Sequence, residues 1–461
     1  MRLPPAVLSL LLLVELPFLG RAPLVRDEAT TIEVAQRHWG AFWELLQHLD
    51  APLGLYYLLL RPVVAVSDGA FAVRLPSLVG VVVAVAVLIT TAERRFGRRV
   101  AVWSGVVLLA NPGLWLFAAF ARPYALALAM AALTLYVLLV APHRTVLYGV
   151  AALLTVYLQL LFGLFLVAQA VLLVRRREVR LLVALTVAGV AALPLAFVAS
   201  GQSVMTRWIP YTSPTSLKDE AFELFGSTGA LSTVAAVLCV GLVLAGLRLP
   251  PARWVVLLGA VPTAVIVVAG VRVHLLGARY VLYLLLVLAL AAGLGLAAVR
   301  SRPAQAAIAV VLGLTVLASA VHFARRDYGQ EDLRAAAAYL SGHDLAGDAL
   351  LYDPDWARPG MAYWLAKTDG PKPDDLAVRP GTVPAETGNL FLPETSTAEL
   401  ERALNARTRV WVVGYPGQTW RPTRNTSGDV ATALAKTWMP RQHVSFGQIE
   451  LRLLERPAPL A

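Results

Sequence analysis

Directly after the first apolar stretch of the chain, an arginine, an aspartate and a glutamate stand side by side in VRDEATTIEVAQRHW: Arg26, Asp27 and Glu28. Such a trio can deprotonate a hydroxyl, or it can simply start a helix, with Asp27 capping a helix that begins near Ala29. Two more arginines stand where apolar runs begin: Arg122 in FARPYALALAM, and Arg279 with Tyr280 in HLLGARYVLYLLL. A guanidinium at the mouth of an apolar helix either snorkels to water or faces a cavity or an anion, because burying it alone is costly. Two such cations beside a carboxylate pair suit a phosphate held near a general base. The segment QSVMTRWIPYTSPTSLKDEAFELFGS adds Arg207, Trp208, Tyr211 and Lys218 and predicts an amphipathic helix over 216–225, which an interfacial anchor would equally explain.

The elements that must position these residues are set by hydrophobicity. Of 461 residues, 58% are hydrophobic and 15% charged, the profile of a polytopic membrane protein. Apolar runs at about 3–20, 76–92, 100–118, 124–140, 145–157, 161–174, 181–199, 231–247, 254–270, 280–299 and 305–322 predict about eleven transmembrane helices, with a break near Gln159. With the N-terminus inside, ERRFGRR, Arg144, RRREVR, RLPPAR and RSR all fall on the cytoplasmic side, as the positive-inside rule requires. The same parity puts 21–75, 119–124, 200–230, 271–279 and everything after His322 outside the cytoplasm, in a cell-membrane protein of many passes. Within 21–75, residues 29–49 read as one amphipathic helix and 53–66 as a second, with Trp39, Trp43, Tyr56 and Tyr57 suited to the headgroup level.

Composition changes after His322. A transmembrane domain over 1–323 is expected to give way to an extracytoplasmic α/β domain over 324–461, with helices near 331–340, 356–365 and 430–437 and strands at 348–353, 409–415 and 444–453. Asp327, Glu331 and Asp332 read as a solvated helix start. The net charge of +11 sits in short loops between apolar runs, which argues against a nucleic-acid partner. Cys239 stands alone in an apolar run, and no His/Asp cluster argues for zinc. No P-loop or GxGxxG supports nucleotide use, and NTS at Asn425 is a glycosylation sequon by pattern only.

The order RDEAT, LDAPLGLYYLLL, FAVRLPSLVG, RRFGRRVA, ARPYALAL, RWIP and GARYVLYLL over roughly 20–290 resembles the GT-C membrane glycosyltransferases that use polyprenyl-phosphate sugars, in particular bacterial relatives of protein O-mannosyltransferases and aminoarabinose transferases. The resemblance implies a GT-C-like all-α bundle that moves a sugar, most often mannose, from the lipid donor to an extracytoplasmic glycan, lipoglycan or protein acceptor with inversion, among membrane lipids. By motif it assigns Asp27 as general base, with Glu28 beside it at the catalytic centre as its neighbour or as a possible metal or acceptor contact. Arg122, Tyr124, Arg279, Tyr280 and Arg207 fall to the donor phosphate, and Asp50, Tyr56 and Trp208 to acceptor or loop contacts. Where relatives carry Gln-Glu ahead of ARPY this chain has Ala119 and Phe120, so a divalent metal has little support here. The residues alone also leave open a lipid-linked-sugar flippase, which would favour polar groups in mid-membrane, and an inactive envelope-assembly scaffold.

Overall fold

The computed structural model describes residues 11–225, 229–325, 331–343, 345, 347–417 and 425–457. It divides into two compact units, one of Met1–Gly20, Pro52–Tyr56 and Phe71–Arg326, the other of Arg21–Ala51, Tyr57–Ala70 and Asp327–Ala461.

The first unit is a helix bundle. Every apolar run from 76 onward folds as helix, whereas most of the run at 3–20 lies outside the described residues. Among the described residues four helices, Ala70–Phe96, Val179–Ser200, Pro250–Gly270 and Arg302–Arg325, are each long and apolar enough to cross a membrane; two bent pairs would raise that to six. One of those pairs, Arg98–Leu109 and Pro112–Ala118, turns by 69° at Asn111, where Pro112 takes the first helical position. The expected break near Gln159 is present: helix Thr145–Leu158 ends there, and Gly163–Arg176 follows a short turn. Gln169 accepts from the Tyr148 hydroxyl at 2.9 Å and donates to Thr134 at 3.0 Å, so this buried amide carries its partners with it.

Close helix contacts rest on small residues. A Cβ on Gly80 would stand 2.7 Å from the Ala125 carbonyl carbon, so the helices of Gly80 and Ala125 meet backbone to backbone. Gly80→Val is expected to force them apart at a cost of about 1–3 kcal/mol, read as a lower melting temperature of the purified protein. A variant that melts like the parent would contradict the packing.

The second unit carries a five-stranded mixed sheet in the order β2-β1-β3-β5-β4: β1 Ala349–Asp353, β2 Asp374–Asp375, β3 Arg409–Gly414, β4 Met439–Phe446 and β5 Ile449–Glu455. β1 pairs parallel with β2 and β3, while β5 runs antiparallel to β3 and β4. Leu400, Leu404, Val430 and Ala431, on helices Thr397–Asn405 and Thr426–Thr437, pack on Leu351, Val410 and Val412. The single strand expected over 444–453 is a hairpin, because Gly447 takes φ +65° and turns the chain. Helix Thr397–Asn405 was not expected, although its capping box is legible: Ser396 Oγ accepts from the Glu399 N–H at 3.3 Å and Glu399 Oε2 accepts from the Ser396 N–H at 2.9 Å.

The segment 29–49 is two helices, not one: Arg26–Gln36 and Trp39–His48. The break falls where Arg37, fully buried, pairs with Glu33 at 2.8 Å and donates to the carbonyls of Thr387 and Asn389, while the His38 N–H goes to the Ala385 carbonyl. These contacts divert the chain from continuing the helix. Arg37→Met would leave Glu33 without its counter-ion and two carbonyls without their donor, an expected loss of about 3 kcal/mol on thermal melting. Trp39 and Trp43 are half-exposed and stacked, but Tyr56 and Tyr57, expected at a headgroup surface, are buried. Tyr57 donates to Asp50 at 3.0 Å instead.

Candidate functional site

In the second unit, helix Arg26–Gln36 begins three residues earlier than the sequence suggested, and its cap is not Asp27. Glu28 Oε2 accepts the Val25 N–H at 3.1 Å and its side chain is fully buried, so Glu28 performs the capping. Asp27 is thereby relieved of that duty. Its carboxylate stays about one quarter exposed, with Oδ1 3.3 Å from Arg26 Nη2, and its carbonyl accepts from Thr31 Oγ1 at 2.8 Å. A carboxylate that is fixed by its own helix and still accessible can take a proton from a hydroxyl.

Around this turn the C-terminal residues crowd. The Arg26 N–H donates to Glu331 Oε2 at 2.8 Å, and the Arg26 guanidinium lies 4.1 Å from the Trp356 ring centroid and 5.8 Å from that of Tyr415. A helix does start here, Leu333–His343, with Asp332 Oδ1 accepting the Ala335 N–H at 2.9 Å, but Glu331 is half-buried against Arg26 and not solvated, while Asp327 lies outside the described residues. Burial pushes the Glu331 carboxyl above the usual range, with Arg26 pulling the other way. Burial, and then the Glu331 charge, push the Tyr415 phenol well above its usual value. Nothing in local sequence marks Trp356 or Tyr415 as partners of Arg26. Asp50 bounds the next turn with φ +55° and holds Tyr57.

In the first unit, three of the singled-out residues converge. Arg279 lies with its guanidinium carbon 5.3 Å from the Trp208 ring centroid and 5.7 Å from that of Tyr124. Tyr124 begins helix Tyr124–Val140 and packs edge-on against Phe117 at 5.6 Å and stacked near Phe120 at 6.3 Å. Arg122 is buried two residues earlier, and Ser77 Oγ holds that turn through the Phe120 carbonyl at 2.7 Å. Tyr280 is half-buried beside Arg279. Arg207 is exposed at the end of the turn Ser203–Thr206, and Lys218 is exposed on its helix.

What brings Trp208 to Arg279 is a clasp between two loops. The predicted amphipathic helix is present as Pro214–Phe225, and its Glu220 accepts the Ala278 N–H. Thr212 donates its N–H to the Gly270 carbonyl at 2.8 Å, and the His274 ring stacks on Tyr211 with centroids 4.2 Å apart. His274 is thus a loop fastener, its Nδ1 engaged with the Ile209 carbonyl. Sequence reasoning passed over Glu220, though its place on the helix was within reach. Two aromatic faces frame the guanidinium, and the Glu220 carboxylate of the same clasp interacts with its charge.

Other patterns resolve quietly. Asn425 is buried, and its Oδ1 accepts the Gly428 N–H at 2.8 Å to cap the helix that follows, a structural duty that explains the residue. Among the described residues no group of three or more His, Cys, Asp or Glu side chains gathers as a metal site.

The bundle with its appended sheet defines a class: the chain has the GT-C fold. Over 97% of both chains it aligns with the crystal structure of ArnT from Cupriavidus metallidurans bound to undecaprenyl phosphate, at 14% identity and a TM-score of 0.58. The apo form of the same protein aligns over the same shares at 14% identity and 0.55. The archaeal oligosaccharyltransferase AglB from Archaeoglobus fulgidus, solved with an inhibitory peptide and a dolichol-phosphate, is more distant at 11% identity and 0.43, over 97% of this chain and 74% of that one. Neither a protein-family model nor a curated protein matches the chain.

Proposed function

We propose that this protein is an integral membrane glycosyltransferase that moves a sugar from a polyprenyl-phosphate donor to a hydroxyl of an extracytoplasmic acceptor with inversion. Asp27 is the base in this reading. Its carboxylate takes the acceptor proton, the acceptor oxygen forms a bond to the anomeric carbon, and the bond from that carbon to the phosphate oxygen breaks, releasing polyprenyl phosphate. Arg279 and Arg122 receive the charge that develops on the leaving phosphate, Tyr124 and Trp208 hold Arg279 flat, and Tyr280 and Arg207 stand nearby in sequence as further donor contacts. The observation that carries the reading is the Arg279–Trp208–Tyr124 cluster in a chain of this fold, supported by a carboxylate at Asp27 that Glu28 frees from capping. ArnT in its solved complex holds undecaprenyl phosphate, a ligand of the class proposed here.

Mannose is the first donor to try, and the acceptor is a glycan, lipoglycan or protein of the cell envelope. Purified protein incubated with radiolabelled polyprenyl-phosphate-mannose and envelope extract is expected to move label into an acceptor fraction. Label that stays on the lipid with every sugar donor offered would contradict the assignment and favour a flippase, which breaks no bond.

A further inference from the structure

β1 and β3 run parallel side by side and end together, with Asp353 opposite Gly414. Just past those ends stand the two aromatic residues that meet Arg26: Trp356 in the turn Asp355–Ala357 after β1, and Tyr415 directly after β3. The carboxyl ends of adjacent parallel strands are where open α/β sheets present a ligand. Here that place holds a side chain of the same polypeptide. The rings of Trp356 and Tyr415 lie 4.7 Å apart and tilted, and the guanidinium rests over both. Glu331 takes the backbone N–H of the same arginine. Gly360 completes the fit: a Cβ there would stand 3.2 Å from Arg26 Cα, so the absence of a side chain lets helix Arg358–Ala366 come close.

We propose that Arg26 is a positioning residue for the Asp27 carboxylate and that Trp356, Tyr415 and Glu331 grip it for that purpose. The C-terminal sheet then serves as a part of the catalytic apparatus. The chain of contacts is short. Arg26 Nη2 lies 3.3 Å from Asp27 Oδ1, and its guanidinium cannot move without leaving the aromatic faces, so the carboxylate keeps one rotamer. This rests on the reading of Asp27 as the base. The charged and titratable groups at the cluster are Arg26, Asp27, Glu28, Glu331 and Tyr415.

The test uses the full-length protein in nanodiscs and two readouts. Hydrogen exchange over residues 25–31 is expected to speed up about tenfold in Trp356→Ala and to return close to the parent rate in Trp356→Phe, which keeps an aromatic face. Turnover in Trp356→Ala is expected to fall about tenfold with the KM for donor unchanged, and to return close to the parent value in Trp356→Phe, in step with the exchange rate. Parent-like exchange in Trp356→Ala, in protein with a cooperative melt, would overturn the grip. Parent-like turnover in Trp356→Ala despite faster exchange, or a loss carried by the donor KM instead of turnover, would overturn the positioning role. Retained transfer in Asp27→Asn alone would instead sink the reading of the base, leaving the exchange result standing, so the two failures are distinguishable.

Discussion

Asp27→Asn is expected to abolish sugar transfer, with turnover down by about 10²–10⁴-fold, while the protein still inserts, folds and melts like the parent. The structure makes this variant informative. The helix start is capped by Glu28 through the Val25 N–H and the Thr31 hydroxyl bonds to the Asp27 carbonyl, contacts that do not need the carboxylate, and an asparagine oxygen can still accept from Arg26 Nη2. An amide in its place keeps the shape and the half-buried setting but cannot accept a proton at neutral pH. Glu28→Gln is the useful comparison, since its amide oxygen can still accept the Val25 N–H. That variant is expected to lose stability before it loses chemistry. Near-normal transfer by Asp27→Asn, measured per folded molecule with labelled donor, would remove the base from the account.

The second large effect is expected at Arg279. Replacing it by Gln should lower kcat/KM for the donor by about 10²–10³-fold, the size seen when one fixed donor to a developing charge is removed. Arg279→Lys should recover little of this. An ammonium keeps the charge, but it lacks the planar face that rests 5.3 Å from Trp208 and 5.7 Å from Tyr124 and the edge that can meet a phosphate with two hydrogen bonds. Full rescue by Lys would mean that only net charge matters at this position. Trp208→Ala should move in the same direction with a smaller loss, because Tyr124 still covers the guanidinium.

Much of the fold could be read from residue order because its causes are local or periodic. Apolar runs set the bundle helices, the amphipathic spacing of 216–225 set Pro214–Phe225, and strand-helix alternation after His322 set the mixed sheet. The convergence of Arg279, Trp208 and Tyr124 was half legible. Each residue stood out at the end of an apolar run or in a loop, but the clasp of Glu220 on Ala278 and of His274 on Tyr211 that joins the two loops has no local signature. The surroundings of Asp27 were less legible still. Glu331 lies 305 residues from Arg26, and the division of labour between Asp27 and Glu28 depends on where the helix starts by a few residues. The break at Arg37 and His38 was hidden for the same reason, since the carbonyls that take their donors belong to residues 385–389.

The central claim is that a sugar-phosphate bond is broken and a glycosidic bond formed, with Asp27 taking the proton. Quantifying free polyprenyl phosphate by mass spectrometry, alongside labelled product, in parallel incubations of the parent protein and Asp27→Asn tests it most directly. One polyprenyl phosphate released per sugar transferred by the parent, and none above background by the variant, is the expected result. Donor recovered intact from the parent, or equal release by the variant, would contradict it.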